Sequence, residues 1–358
     1  TILLGAFGFA FFRAIGLVGN SPLMGEITTG RDRGSYIAGN WVRSQTVYLL
    51  SMISVVLIMR YIDEVWVYQV VIGCGCIVGF YASRQLVHVP ETSVPRTSAD
   101  IPLREAFSTL WNRSRYRRIL FAWVAAFCSF VLVIPFSIIT VKNGYGLSDY
   151  VALIFSLLVI AGGILSSIIN RSISDRVGPR PLLILFVGGF FLVAGYWVFA
   201  PPTFYMIPVG LAFFIAGVCK TGIIITTNHY FLTAVDDRDR VGTSMFIRMI
   251  SGGAAGFAGS VGGGTILKIL GILEVSGLDM YRTYFRIIFL VLIPFLIIIL
   301  RLEPLKEWKV RNILSLLFSP RDLRALIVMN KLDKNANPDT DRTHVETLGR
   351  IASGLSES

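Results

Sequence analysis

One run of residues, Ser174-Asp175-Arg176-Val177-Gly178-Pro179-Arg180, has the makings of a charge-based clamp. A carboxylate such as Asp175 can accept hydrogen bonds from the amides that open the next helix. The adjacent Arg176 can pair across to a neighbouring helix. Gly178 and Arg180 complete the turn. Its other reading is a solvated turn. A second grouping occurs twice: Arg31-Asp32-Arg33 recurs 207 residues later as Arg238-Asp239-Arg240. Eighteen residues before each triplet stands a basic residue in an apolar stretch, Arg13 and Lys220. Gly34-Ser35 and Gly242-Thr243 follow within two residues. Such self-similarity marks an internal repeat. Asp32, Arg33, Asp239 and Arg240 are therefore expected to be gate residues in equivalent loops.

Arg13 and Lys220 suggest binding chemistry. A cation deep in an apolar stretch is costly unless it faces water or a partner. Two of them, facing one cavity from opposite sides, would attract an anionic solute. Their structural alternatives are a bond to backbone carbonyls for Arg13 and snorkelling for Lys220. Gln45 and Asn228 could hydrogen-bond a solute or join helices, as could Asn40 and Tyr48. Arg43, Arg248, Lys268 and Arg286 lie near the ends of their stretches, where snorkelling suffices. No catalytic constellation is present. His88, His229 and His344 are isolated, and no Gly-x-x-x-x-Gly-Lys phosphate loop occurs. No enzyme activity, metal or cofactor is expected. Cys74, Cys76, Cys128 and Cys219 all fall in apolar runs and read as small buried hydrophobes.

These residues need helices in lipid to position them. Of 358 residues, 54% are hydrophobic and only 15% are charged, and mean hydropathy is +0.67. Soluble domains run nearer a quarter charged. The apolar residues come in long runs, which excludes the alternating strands of an outer-membrane barrel. A helix needs roughly 20 apolar residues to cross a bilayer core. Nine stretches qualify: 1–19, 36–59, 65–83, 119–141, 150–170, 181–200, 204–227, 245–272 and 284–300. No Asp or Glu lies inside any of them. Expected, then, is an all-α integral membrane protein with nine spans, three before a long loop and six after it.

Loop charge sets the orientation. Loops 20–35, 84–118, 171–180 and 228–244 hold 14 Lys and Arg, and the opposite set holds 3. By the positive-inside tendency the first set is cytoplasmic. The net charge of +11 is thereby assigned to loops rather than to nucleic acid. The expected domains are a remainder of an N-terminal bundle at 1–83, a central loop at 84–118 and a six-helix bundle at 119–301. A cytoplasmic tail follows at 302–358, with a helix from Ser319-Pro320 and a capping box at Thr343 and Glu346. The start at Thr1 inside an apolar run suggests further spans upstream, and the tail could lead to another domain. The Gly-rich run 251–264 reads as tight helix packing through Gly252/Gly256 and Gly259/Gly263, or as an unwound segment lining a site.

The sequence resembles the major facilitator superfamily of secondary transporters, as one lacking its first three helices. Ser174–Arg180 is similar to the family's cytoplasmic loop signature, an Asp-Arg-x-Gly core with trailing basic residues. Arg171 stands where the family has glycine, and Pro179 where a basic residue is common. Phe12-Arg13-Ala14-Ile15-Gly16 is similar to the Arg/Gly motif of the fourth helix, one residue short. The three-plus-six arrangement also fits. The resemblance covers residues 1–301. It implies a pseudo-symmetric helical bundle in the plasma or inner membrane, moving a small solute by alternating access. The helices carrying Arg13 and Lys220 would line the cavity. The expected substrate is an organic anion, the coupling ion H+ or Na+, and the protein a monomer. Two alternatives stand: a non-transporting receptor or scaffold working through its tail, and a cation-coupled sugar symporter, suggested by Glu26-Ile27-Thr28.

Overall fold

A computed structural model describes residues 33–61, 65–86 and 102–305. The first expected span, Arg13, Asp32 and the tail helices lie outside the described residues. The described residues are helical and contain no strand. Helix α1 spans Arg33–Tyr61, α2 Val65–Leu86, α3 Leu103–Asn112 and α4 Ser114–Ile139. They are followed by α5 at Asp149–Val177, α6 at Pro179–Val198 and α7 at Met206–Ala234. Helices α8 at Arg240–Phe257, α9 at Gly264–Ile272 and α10 at Gly277–Leu300 complete the order. A π-helical segment, Ala258–Gly263, joins α8 to α9 as one broken span.

Seven helical segments among the described residues are long and apolar enough to cross a membrane. The chain forms two compact units. The larger contains α1 and α3–α10, and α2 belongs to the other. On α2, Cys74 and Cys76 are exposed, whereas Cys128 and Cys219 are buried and all four are free thiols. The expectation of four buried cysteines is thus half right. A helix bathed in lipid has no need to bury a small apolar side chain against protein.

In the larger unit, α1 packs along α5 and α7, while α4 packs against α8 and α10. Helices α5 and α7 approach each other very closely. A Cβ at Gly162 would collide with the Phe214 carbonyl, and one at Gly217 with that of Val159. Gly259 and Gly263 let α4 approach through Val131 and Phe136. Gly252 and Gly256 pack against none of the described residues. Both are exposed, and a Cβ on either meets nothing within 4 Å among the described residues. Of the two expected glycine pairs, Gly259 and Gly263 pack closely and Gly252 and Gly256, in the α-helical part of the run, do not among the described residues.

Several helices run past the stretches that hydropathy marks. Hydropathy reports where lipid ends, whereas a helix ends where packing and turn chemistry stop it. Helix α5 continues beyond residue 170 because Ile173 and Val177, one turn apart, are both 0% exposed. Gly178, at φ +90°, and Pro179 at the first position of α6 then end it. Helix α7 likewise continues to Ala234 on buried Tyr230, Phe231 and Leu232. The signature residues Ser174 and Asp175 consequently sit on the last turn of a rigid helix.

Loops of the basic set meet on one face. Arg180 Nη2 donates to the Leu300 carbonyl at 2.9 Å, Tyr230 donates to the Glu303 carbonyl at 2.9 Å, and Arg118 pairs with Glu303 at 3.3 Å. The opposite set meets on the other face. There Tyr145 donates to the Pro201 carbonyl at 2.7 Å and Arg282 Nη2 to the Ala200 carbonyl at 2.6 Å.

Candidate functional site

Three helix ends converge at Asp175. Its Oδ1 accepts the Gly34 amide at 2.7 Å and its Oδ2 accepts the Ser35 amide at 2.8 Å. Both donors belong to the first turn of α1, where amides have no intrahelical acceptor and the helix dipole is positive. Each carboxylate oxygen thus takes a charge-assisted bond from an α1 amide. The expectation that Asp175 serves the next helix is corrected. The next helix, α6, begins at Pro179, which has no N–H to give, and the acceptor turns to α1, 140 residues away in sequence.

Gly34 is what permits the approach. A Cβ there would stand 2.6 Å from Ser174 Oγ, 2.7 Å from Asp175 Oδ1 and 2.8 Å from His229 Nδ1. His229, from the last turns of α7, is 5% exposed and lies 2.8 Å from Ser174 Oγ through Nδ1. Its Nε2 is 3.8 Å from Asp175 Oδ1. Sequence reasoning passed over His229 as isolated. No local signal links it to Asp175, because the two meet only through the α5–α7 packing.

The repeated triplets also meet here. Arg33 Nη1 donates to the Leu232 carbonyl at 2.7 Å, and Arg240 Nη2 donates to the same oxygen at 2.9 Å. Leu232 lies in the last turn of α7, whose final carbonyls lack intrahelical donors. Arg33 opens α1 and Arg240 opens α8, so the 207-residue offset joins two helix starts. Arg240 also pairs with Asp237 at 2.5 Å. Asp239 accepts from Arg113 Nη1 at 2.6 Å and from the Tyr116 hydroxyl at 2.9 Å. Burial pulls the Arg113 guanidinium down, but Tyr116, Asp239 and Asp236 outweigh it and hold the group above its ordinary range. Arg176 is half-buried on the last turn of α5.

The expected substrate residues separate into two places. Gln45 on α1 donates through Nε2 to Thr221 Oγ1 on α7 at 3.2 Å, against Gly163 of α5. Lys220, next to Thr221, is half-buried. Asn228 lies two turns further along α7. Its Oδ1 accepts Arg248 Nη2 at 3.1 Å, and its Nδ2 donates to the Ile224 carbonyl at 2.7 Å. The Arg248 guanidinium stands over the Trp123 ring, 5.8 Å from its centroid. Snorkelling, expected for Arg248, is replaced by this inward contact, since an amide and an aromatic face are nearer than water. Arg43, Lys268 and Arg286 are exposed.

A family model, described as Major Facilitator Superfamily, matches residues 1–260. No curated protein matches the chain.

Proposed function

The chain belongs to the major facilitator superfamily of secondary transporters, and from that premise we propose that it moves a small organic anion by alternating access, with Asp175 at the heart of its cytoplasmic gate. The supporting observation is the paired capture of the Gly34 and Ser35 amides by one carboxylate from α5. Two bundles that must rock need a bond that is strong in one state and breakable without unfolding. A carboxylate on a helix start meets that need, because water can replace both amides once they part. Asp32, Arg33, Asp239, Arg240, Arg176, Gly178 and Arg180 form the rest of the gate. In this reading residues 1–83 belong to the first bundle, 84–118 to the central loop, 119–301 to the second bundle and 302–358 to a cytoplasmic tail. Arg13, Lys220 and Gln45 face the solute path between the bundles, a coupling ion drives the cycle, and the protein works as a monomer in the cell membrane.

A cysteine reporter tests the gate. Ser35 is 6% exposed, so Ser35→Cys should react slowly with a membrane-impermeant maleimide from the basic face. Adding Asp175→Asn should raise that rate several-fold while leaving membrane abundance unchanged. An unchanged rate would overturn the gate.

A further inference from the structure

Helix α3 has two apolar rows and seats one of them on protein. Ala106 and Leu110, one turn apart, are buried, and Ala106 lies against Gly242 of α8. Leu103, Phe107 and Trp111 make the second row at the same four-residue spacing, and all three are exposed. The row is ordered, for Phe107 and Trp111 stack with ring centroids 6.3 Å apart. Arg104, Ser108 and Asn112 follow round the helix as an exposed polar row. One residue, Arg113, separates α3 from α4. Helix α4 opens a segment long and apolar enough to cross a membrane, and it carries no charged residue after Arg118. Through Gly242 and Phe246, α3 also touches the first turns of α8, where a second such segment begins. It is therefore held at the level where lipid gives way to water. An amphipathic helix at that border lays its apolar row into the headgroup and upper acyl layer, the level that tryptophan prefers.

Charge is sorted about this helix. Residues 102–118 hold five arginines and one acid, Glu105. Glu105, two residues from Phe107 and so nearly opposite it, lines a cleft with Arg113, Asp236 and Asp239. These acids thus gather on the side away from the exposed row. Arg104, two turns before Trp111, lies beside that row instead. At the base of α4, Arg117 and Arg118 share a face with exposed Phe121, one turn on. Arg118 and Arg115 have Glu303 between them, at 3.3 and 3.5 Å, two cations to one carboxylate. An apolar row beside a basic face matches an anionic phospholipid, with acyl chains on the first and phosphate on the second. A zwitterionic headgroup brings its own cation and cancels much of that attraction.

We propose that α3 and the base of α4 form a seat for anionic phospholipid, with Leu103, Phe107 and Trp111 against its acyl chains and Arg104, Arg117 and Arg118 meeting its charge. The seat needs a membrane and no transport cycle, so it stands or falls apart from the gate. The test uses the full chain in phosphatidylcholine nanodiscs that contain a small, equal fraction of brominated phosphatidylglycerol or brominated phosphatidylcholine. The Trp111 signal is the fluorescence lost in Trp111→Phe. Brominated phosphatidylglycerol should quench it several-fold more than brominated phosphatidylcholine. Each arginine near an anionic surface is worth about fivefold in binding, so Arg104→Gln with Arg117→Gln should bring the two lipids level. Lys268→Gln, a charge removed from the exposed surface of α9, should leave the preference unchanged. Equal quenching in the unaltered chain, or a preference that survives the double variant, overturns the proposal. So does a Trp111 signal that neither lipid quenches, because protein would then cover the row. Competition by glycerol phosphate would assign the arginines to a free phosphate and overturn it too. Should the double variant not fold, each single variant serves, and an undiminished preference in both overturns the seat. Ser35→Cys labelling that still answers to Asp175→Asn would in that event keep the gate in place.

Discussion

The starts of α1 and α8 are equivalent by the 207-residue repeat, yet they are held by different physics. At α1, Gly34 admits a carboxylate, and two amides close on Asp175. At α8, Gly242 admits a methyl group. A Cβ there would lie 2.6 Å from Ala106 Cβ of α3, and Phe107 of α3 meets Phe246 edge-on at 5.3 Å. Charge enters the second site through Arg240, paired with Asp237 and bonded to the Leu232 carbonyl much as Arg33 is at α1, and at the rim, where Arg113 pairs with Asp236 and Asp239. One helix start is latched by a charge on a dipole, the other by apolar seating. The repeat keeps the opening arginine in register and a glycine within two residues of it, at Gly34 and, one position out of register, at Gly242, and leaves the nature of the latch to whichever element arrives.

The sharpest way to break this contrast is Gly34→Ala. Its Cβ would meet three polar atoms at once, and overpacking costs about 1–3 kcal/mol before the two amide bonds are lost. We expect Ser35→Cys to label at the rate of an open gate. Gly242→Ala should cost less and should be rescued by Ala106→Gly, because the obstacle is one methyl on a ten-residue helix. Thr243→Cys, buried at 1%, reports that side by its labelling rate. Next in size is Asp175→Asn, which should destabilise the α1 latch by about 1.5–3 kcal/mol, the usual worth of a hydrogen bond to a charged group, while Thr243→Cys labelling stays unchanged. A parallel rise at Thr243 would erase the distinction between the two latches.

Arg33→Gln and Arg240→Gln should each cost about 1 kcal/mol in thermal melts. The double variant should fall short of the sum by about 0.5 kcal/mol or more, because both residues use one carbonyl and neighbours couple. Strict additivity would show that the shared oxygen is incidental. The smallest effect is expected from Arg113→Gln. Its side chain is half exposed at 50%, and exposed pairs are worth about 0.2–1 kcal/mol. That difference should shrink in high salt, whereas the Asp175 effect should persist.

Helix content could be read from the sequence, and the loop motif drew attention to Asp175. Apolar run length and basic residues report lipid and its borders directly. The triplets were expected in equivalent loops; Arg33 and Arg240 instead open helices. What could not be read was the partner. Only the α1–α5 packing brings Gly34 to Asp175. His229 was unreadable for the same reason, since its role depends on two helices running several residues past the hydropathic boundary. Asn228 was singled out for its polarity, but polarity alone could not say that Arg248 would be its partner.

The close crossing of α5 and α7 at Gly162 and Gly217 gives α5 a fulcrum near its middle. From Gly163 to Asp175 is twelve residues, an arm of about 18 Å. A pivot of about 5° would swing Asp175 by ~1.6 Å, enough to carry bonds of 2.7 and 2.8 Å beyond the hydrogen-bonding range. Gln45 leans on α5 at that same fulcrum, at Gly163. A disturbance of a fraction of an ångström among the side chains at the crossing would thus be magnified along the arm. The latch could be thrown by leverage alone, with the helix moving as a rigid beam and no turn of it unwinding.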